Sequence, residues 1–448
     1  MPHSIAAAAD ALASGATTAR SLAEAALARI ADPAGEGARA FVQVQAKAAL
    51  AAADAMDGLR AHGRAPSRFA GIPISVKDLF DQAGQVTAAG SVVLADAPPA
   101  ATTAPAVARL ERLGFVVLGR TNMVEFAFSG LGVNPHFGTP LSPWDRATGR
   151  CPGGSSSGAG VAVADGMGFA ALGSDTGGSC RVPAALCGVV GYKPTAKRVP
   201  ITNVVPLSQS LDSIGPLART VACCAVIHAG MAGDDQPAAP AALPLAGLRL
   251  GLPRGTYLTD GMDATVAATF DAALARLSAA GALIVPLDLP ELADIPAVNA
   301  TGGFAASEAW ALHRDIIARG RDRYDPRILA RILRGERMTS TDYIALVAAR
   351  AALIAAIAPR TAPFDAVVLP TCPIVPPALA EVAEERDYNR INMALLRNTS
   401  VGNFLDRCSI SLPCHRPGEA PVGLMLMGEH DGDARLFAVA AAVEAGLA

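Results

Sequence analysis

Aromatic side chains make up only 4% of this 448-residue chain and charged ones 17%. The 37 basic and 40 acidic residues leave a net charge of −3. Without clustered Lys and Arg, a nucleic-acid or acidic-lipid partner is not expected. The densest basic stretch, Arg314 to Arg337, is interleaved with Asp315, Asp322, Asp325 and Glu336 and reads as a solvated helical face. No uninterrupted apolar run of about 20 residues occurs, which speaks against a membrane-spanning helix. Positions 1–20 are broken by Asp10, Gly15 and Arg20 and do not read as a signal peptide, so the expected location is the cytoplasm. None of the eight cysteines stands in a CxxC pair or beside histidines at zinc spacing. Reduced thiols, no metal and no cofactor are therefore expected. With 51% hydrophobic residues the chain is too apolar to be disordered.

What is present is alanine, glycine (43) and proline (33), arranged in alternating patterns. Residues 4–30 and 41–62 carry apolar positions at helical spacing, with an interruption near Gly15 and a stop at Asp32-Pro33. From Ala70 onward, short β-branched runs alternate with helical ones. Strands are predicted over 70–78, 115–118, 168–172, 248–252, 283–287, 366–369, 409–412 and 422–427. Helices are predicted over 104–113, 155–165, 264–280, 307–319, 340–358 and 435–445. This alternation indicates an α/β protein, a single large domain with a twisted mixed sheet flanked by helices on both faces. Within it, 1–63 reads as N-terminal helices, 66–220 as the core with the unusual motifs, and 246–448 as the substrate side and the rest of the sheet. The Pro- and Ala-rich segment 232–247 reads as a surface loop in preference to a linker.

Two glycine-rich stretches stand out: Cys151-Pro-Gly-Gly-Ser-Ser-Ser-Gly-Ala-Gly and Gly173-Ser-Asp-Thr-Gly-Gly-Ser-Cys-Arg-Val-Pro. A flexible linker would not run straight into apolar structure. A phosphate loop lacks its lysine, and a dinucleotide fingerprint lacks its strand. Gly154 to Gly158 matches a nucleophile elbow centred on Ser156, but the strand before it is poor and the seven histidines lie in unremarkable contexts. A serine nucleophile also needs oxyanion donors, and Asp175-Thr-Gly-Gly-Ser179 supplies N–H groups on a backbone that glycine leaves free to converge. The base need not be histidine, because a buried lysine loses its proton more readily. Lys77, in Ile72-Pro-Ile-Ser-Val-Lys, sits in an apolar setting that suits burial.

Gly71–Asp78, Pro152–Gly158 and Gly173–Pro183 together resemble the three core motifs of the amidase signature family. Cys187-Gly-Val-Val-Gly-Tyr-Lys-Pro-Thr, Leu211-Asp-Ser-Ile-Gly-Pro-Leu-Ala-Arg and Pro421-Val-Gly-Leu also match, so the resemblance covers nearly the whole chain. It implies that Ser179 is the nucleophile, Ser155 the bridging serine and Lys77 the ultimate base, with a cis peptide between Gly154 and Ser155. The spacing of 24 residues from Ser155 to Ser179 (179 − 155) favours Ser155 over its two serine neighbours as the bridge. The N–H groups of Thr176, Gly177, Gly178 and Ser179 would form the oxyanion hole. Asp175 would hold that loop and Arg181 would brace it; for both, a purely structural ion pair is nearly as good a reading. Phe126, Ala127, Phe128, Ser129 and Gly130 match the family's pocket-lining turn, although a core role for either phenylalanine is equally supported.

The resemblance implies hydrolysis of an amide-type C–N bond in a small molecule (amide, anilide, carbamate or urea) through a serine acyl-enzyme. The walls that choose the substrate are expected between about residues 200 and 402, with 198–209 and 305–314 as candidates. Cys180 adjoins the nucleophile, which predicts inhibition by thiol reagents. Two rival readings share the motifs: the glutamine-hydrolysing component of a multi-subunit tRNA amidotransferase, and a non-catalytic binding protein on the same fold. Family members often dimerise, which makes a homodimer the assembly the resemblance implies; no segment of the sequence shows an interface.

Overall fold

The computed structural model describes residues 3–447. In chain order its strands are β1 Phe41–Val44, β2 Pro73–Lys77, β3 Val116–Thr121, β4 Ala170–Asp175, β5 Val190–Lys193, β6 Ser213–Ala218, β7 Arg249–Pro253, β8 Leu283–Leu287, β9 Ala366–Pro370, β10 Ser409–Pro413 and β11 Gly423–Met427. All belong to one sheet, ordered β1-β3-β2-β4-β6-β5-β10-β11-β9-β7-β8. β2 pairs in parallel with both β3 and β4, and β7 with both β8 and β9; the remaining pairs are antiparallel. This is the mixed α/β sheet in a single domain that the alternating patterns predict.

Both faces of the sheet are covered, as its composition requires. Successive strand residues point to opposite sides. On β11, Leu424 and Leu426 enter one apolar cluster while Met425 and Met427 enter another. A strand buried on both faces reads as a continuous apolar run, which is why β9 and β11 are legible without alternation. The segment between Ala232 and Arg249 forms no helix or strand and joins two parts of the same sheet, as a surface loop does.

Some boundaries differ from the sequence reading. Residues 41–44 are not helical: Phe41-Val-Gln-Val forms β1, antiparallel to β3, and the helix starts at Ala46. The N-terminal helical run divides into Ile5–Ala13 and Ala19–Ala31, capped by Ser4 and Thr18. β4 continues to Asp175, beyond the predicted 172, and so carries the chain directly into the second glycine-rich loop. The helix Ser340–Thr361 is 22 residues long, and by length and composition apolar enough to cross a bilayer, with only 17% of its apolar window buried. Its composition escapes a search for uninterrupted apolar runs because Arg350 lies within it. Leu346, Leu353 and Ile357 anchor it in the fold, and Arg350 donates to the carbonyls of Phe404, Asn403 and Ser210.

Candidate active site

The site forms at the carboxyl ends of the parallel strands β2 and β4, where open α/β sheets leave a crevice. Lys77 is the last residue of β2, and every residue of that strand is buried. Ser174 and Asp175 close β4. The loop 176–180 follows and leads into the helix Arg181–Cys187. Ser155 comes from the other glycine-rich loop, just before the helix Ser157–Ala164. The peptide between Gly154 and Ser155 is cis.

These placements bring Lys77 Nζ within 2.7 Å of Ser155 Oγ and 2.8 Å of Ser174 Oγ, both hydrogen bonds. Lys77 is fully buried. Burial pulls its pKa down from 10.5 to about 8, against the opposing charges around it, Asp175 and Asp212. Cys180 adds no counter-charge at neutral pH, because burial pushes its own thiol far up. Ser179 lines a large cavity. Its carbonyl accepts from the Ser156 N–H at 3.3 Å, and among the described residues no hydrogen bond joins the Ser155 and Ser179 hydroxyls. The elbow serine Ser156 turns its own hydroxyl toward the Ser174 carbonyl, and Ser157 toward that of Asn122.

Asp175 organises the loop. Its carboxylate accepts from the N–H groups of Gly178 (2.9 Å) and Cys180 (3.0 Å). It also takes a two-pronged pair from Arg181, Nε at 3.0 Å and Nη2 at 2.8 Å. Burial alone would raise this carboxyl, yet Arg181 beside it holds it at about 2. Because the Gly178 N–H is spent on Asp175, it drops out of the expected set of oxyanion donors. The N–H groups of Thr176, Gly177 and Ser179 have no acceptor among the described residues.

Several supporting groups were not singled out from sequence. Ser174 shares Lys77 with Ser155. Asn403 accepts from Arg181 and donates to Asp175. Thr176 donates to Asp212 at 2.5 Å, and Thr399 donates to the Gly177 carbonyl at 2.6 Å. Asp212 and Ser174 lie inside motifs that match the family, which was the available signal; Asn403 and Thr399 carry none.

The cavity has a volume of about 650 Å³ and opens onto Ser179, Thr176 and Gly177. Of the predicted turn, Ala127, Phe128 and Ser129 line it. Phe126 does not: its ring packs edge-on to His313 at 4.3 Å, the core alternative. Gly130 instead donates its N–H to Asn392 Oδ1. Of the predicted walls 198–209 and 305–314, Leu207, Ala305 and Ala306 line the cavity and the other residues do not. Arg331 and Arg334 also line it, so the basic stretch is not wholly a solvated face.

The sequence matches the Amidase family over residues 21–437. The chain belongs to the amidase signature family. This amidase is 40% identical to the 2-amino-5-chloromuconic acid deaminase of Comamonas testosteroni over 401 residues, 89% of this chain and 86% of that protein. It is 35% identical to the A component of the glutamyl-tRNA(Gln) amidotransferase of Cupriavidus metallidurans, over 97% of this chain and 95% of that one. A crystal structure of an amidase superposes with a TM-score of 0.88 at 30% identity, covering 99% of this chain and 100% of the other. The amidase is thus an enzyme that hydrolyses amide-type C–N bonds.

Proposed function

We propose that this amidase cleaves its substrate through an acyl-enzyme on Ser179, activated by Ser155 and neutral Lys77. The observation that carries this reading is the fully buried Lys77 amine, 2.7 Å from the Ser155 hydroxyl. Neutral Lys77 accepts the Ser155 proton as Ser155 accepts that of Ser179. The Ser179 Oγ–carbon bond forms, and the oxyanion is met by the N–H groups of Thr176, Gly177 and Ser179. The C–N bond then breaks, and the proton held by Lys77 returns through Ser155 to the leaving nitrogen. Water, deprotonated by the same route, cleaves the acyl-enzyme to a carboxylic acid and frees Ser179.

The test is a mass-spectrometric screen of amides, anilides, carbamates and ureas with wild type and Ser179→Ala. At least one substrate should turn over, and Ser179→Ala should lose at least about 1,000-fold in kcat. Turnover within tenfold of wild type in Ser179→Ala would remove Ser179 from the mechanism.

A second reading, the glutamine-fed component of a tRNA amidotransferase, is favoured by the 35% identity to such proteins. Glutaminase activity that appears only with added partner proteins would establish it. The eight free, buried cysteines support a cytoplasmic setting. The homodimer rests on the family resemblance, and light scattering tests it. Residues 1–63 are proposed as an N-terminal part that adds helices and the edge strand β1, 66–220 as the catalytic part and 246–448 as the substrate side and the rest of the sheet.

A further inference from the structure

We propose that the cavity selects amides that carry a carboxylate on an apolar acyl body, and that Arg331 and Arg334 bind that carboxylate. This rests on the reading of Ser179 as the nucleophile. The lining contains three arginines, Arg331, Arg334 and Arg397, and no Asp, Glu, Lys or His. In a chain of net charge −3, that is a local concentration of positive charge in a depression built mostly from aliphatic side chains such as Leu207, Leu211 and Ile295. A low-dielectric wall strengthens the attraction of such charges for an anion.

Among the described residues none of the three arginines forms an ion pair with a carboxylate. Arg331 Nη2 donates to the amide oxygen of Asn389, and its Nε is buried without a partner among the described residues. Arg334 reaches the Ala300 carbonyl, at 3.4 Å. Arg397 is held by the carbonyls of Leu258 and Asp260, which fixes it as wall. Of the neighbouring acidic side chains, Asp325 pairs with Arg327 and Asp387 with Arg390. Burial disfavours the charged Arg331 guanidinium, as does the like charge of Arg334, and together they outweigh the opposing pull of Tyr388 and Asp325, a cost that a bound anion would relieve. Buried guanidinium groups normally have a hydrogen-bonded anion or carbonyl for each face of the fork. Arg331 is half-buried and Arg334 exposed, and both border the cavity that Ser179 also lines.

Arg331 is also positioned relative to the turn beside the nucleophile. Its guanidinium lies over the Tyr388 ring, 5.8 Å from the centroid. The Tyr388 hydroxyl donates to Ser129 Oγ at 2.8 Å, and Ser129 lines the cavity. Arg331 and the Ser129 turn of the cavity wall therefore share one aromatic ring, that of Tyr388. A planar carboxylate suits the guanidinium fork, whereas a neutral amide tail of equal length would leave both arginines without an anion.

The experiment compares monoamides of C4 to C6 dicarboxylic acids, saturated and unsaturated, with the simple fatty amides of the same length. The expected kcat/KM is at least about 50-fold higher for the best anionic amide. In Arg331→Met and Arg334→Met that ratio should fall below about five, chiefly through KM, while Arg331→Lys, which keeps the charge but not the fork, should fall between wild type and Arg331→Met. Thermal melting checks that each variant is folded. Labelling of Ser179 by a neutral phosphonate, run in parallel on wild type, tests the underlying reading separately. Equal or higher rates with neutral amides, no turnover of any anionic amide by phosphonate-reactive enzyme, or an unchanged ratio in both folded Met variants would overturn the assignment. Absence of Ser179 labelling would overturn the nucleophile reading beneath it.

Discussion

Lys77 shows how burial turns a common residue into a base. An exposed lysine is almost entirely protonated at neutral pH; a fully buried one near pKa 8 holds a useful neutral fraction. The proposed relay needs the neutral form, so kcat/KM should be level above about pH 8 and fall about tenfold per unit below it. Burial raises Asp212 to about 6, despite hydrogen bonds from Thr176 and the N–H groups of Ser208 and Leu207. As it protonates, Thr176 loses a charged acceptor, and the profile should steepen below that pH. Asp175, held at about 2, stays ionised throughout. Ser174→Ala removes an acceptor that favours the lysine's charged form, so the kinetic pKa should shift to lower pH, with a several-fold loss in kcat from a less restrained amine. An unshifted profile would deny Ser174 that role. Cys180 departs from its sequence reading: at 0% exposure, with its thiol pushed up, it should resist thiol reagents instead of serving as their target.

The loop 176–180 is where local geometry constrains chemistry most tightly. Gly178 has φ +134, and a Cβ there would stand 2.1 Å from Thr399 Oγ1. Gly178→Ala should therefore displace the loop, lower kcat at least about 100-fold and cost about 1–3 kcal/mol of stability. At the neighbouring Gly177 the nearest atom to an added Cβ is 3.9 Å away, so Gly177→Ala should melt close to wild type. Comparable melting temperatures for the two variants would contradict this account of the loop. The same scale explains which elements were legible. β2, β7 and β9 combine apolar or β-branched runs with clear boundaries. β6, Ser213-Ile-Gly-Pro-Leu-Ala, carries a proline that ordinarily argues against an interior strand. It is tolerated because the β5 ladder reaches only Leu217 and Ala218, leaving Pro216 without a ladder partner on that side. Gly215 answers a close approach, since a Cβ would lie 1.8 Å from the Tyr192 carbonyl oxygen. β1 was hidden because four residues precede an alanine-rich helix that dominates the pattern.

Across the whole molecule, the glycine-rich motifs, Lys77 and the covered sheet could be read in the sequence, because each is a local signal. The cavity could not. Its walls come from Ala127, Leu207, Ile295, Arg331 and Phe404, distant residues brought together only by the sheet order. Arg331 is the instructive case: charges interleaved with Asp and Glu look solvated in sequence, yet this one turns inward with its Nε buried. The large core also has a chemical signature. All eight cysteines are free and buried, so a thiol titration should find few or none reacting rapidly in the native protein and eight after denaturation. Several fast thiols in the native state would contradict that packing. The central claim remains the acylation of Ser179. A phosphonate probe followed by peptide mapping tests it most directly: the adduct is predicted on Ser179 in wild type and strongly reduced in Lys77→Ala. An adduct on Ser155 or Ser156, or no adduct on folded protein, would contradict it.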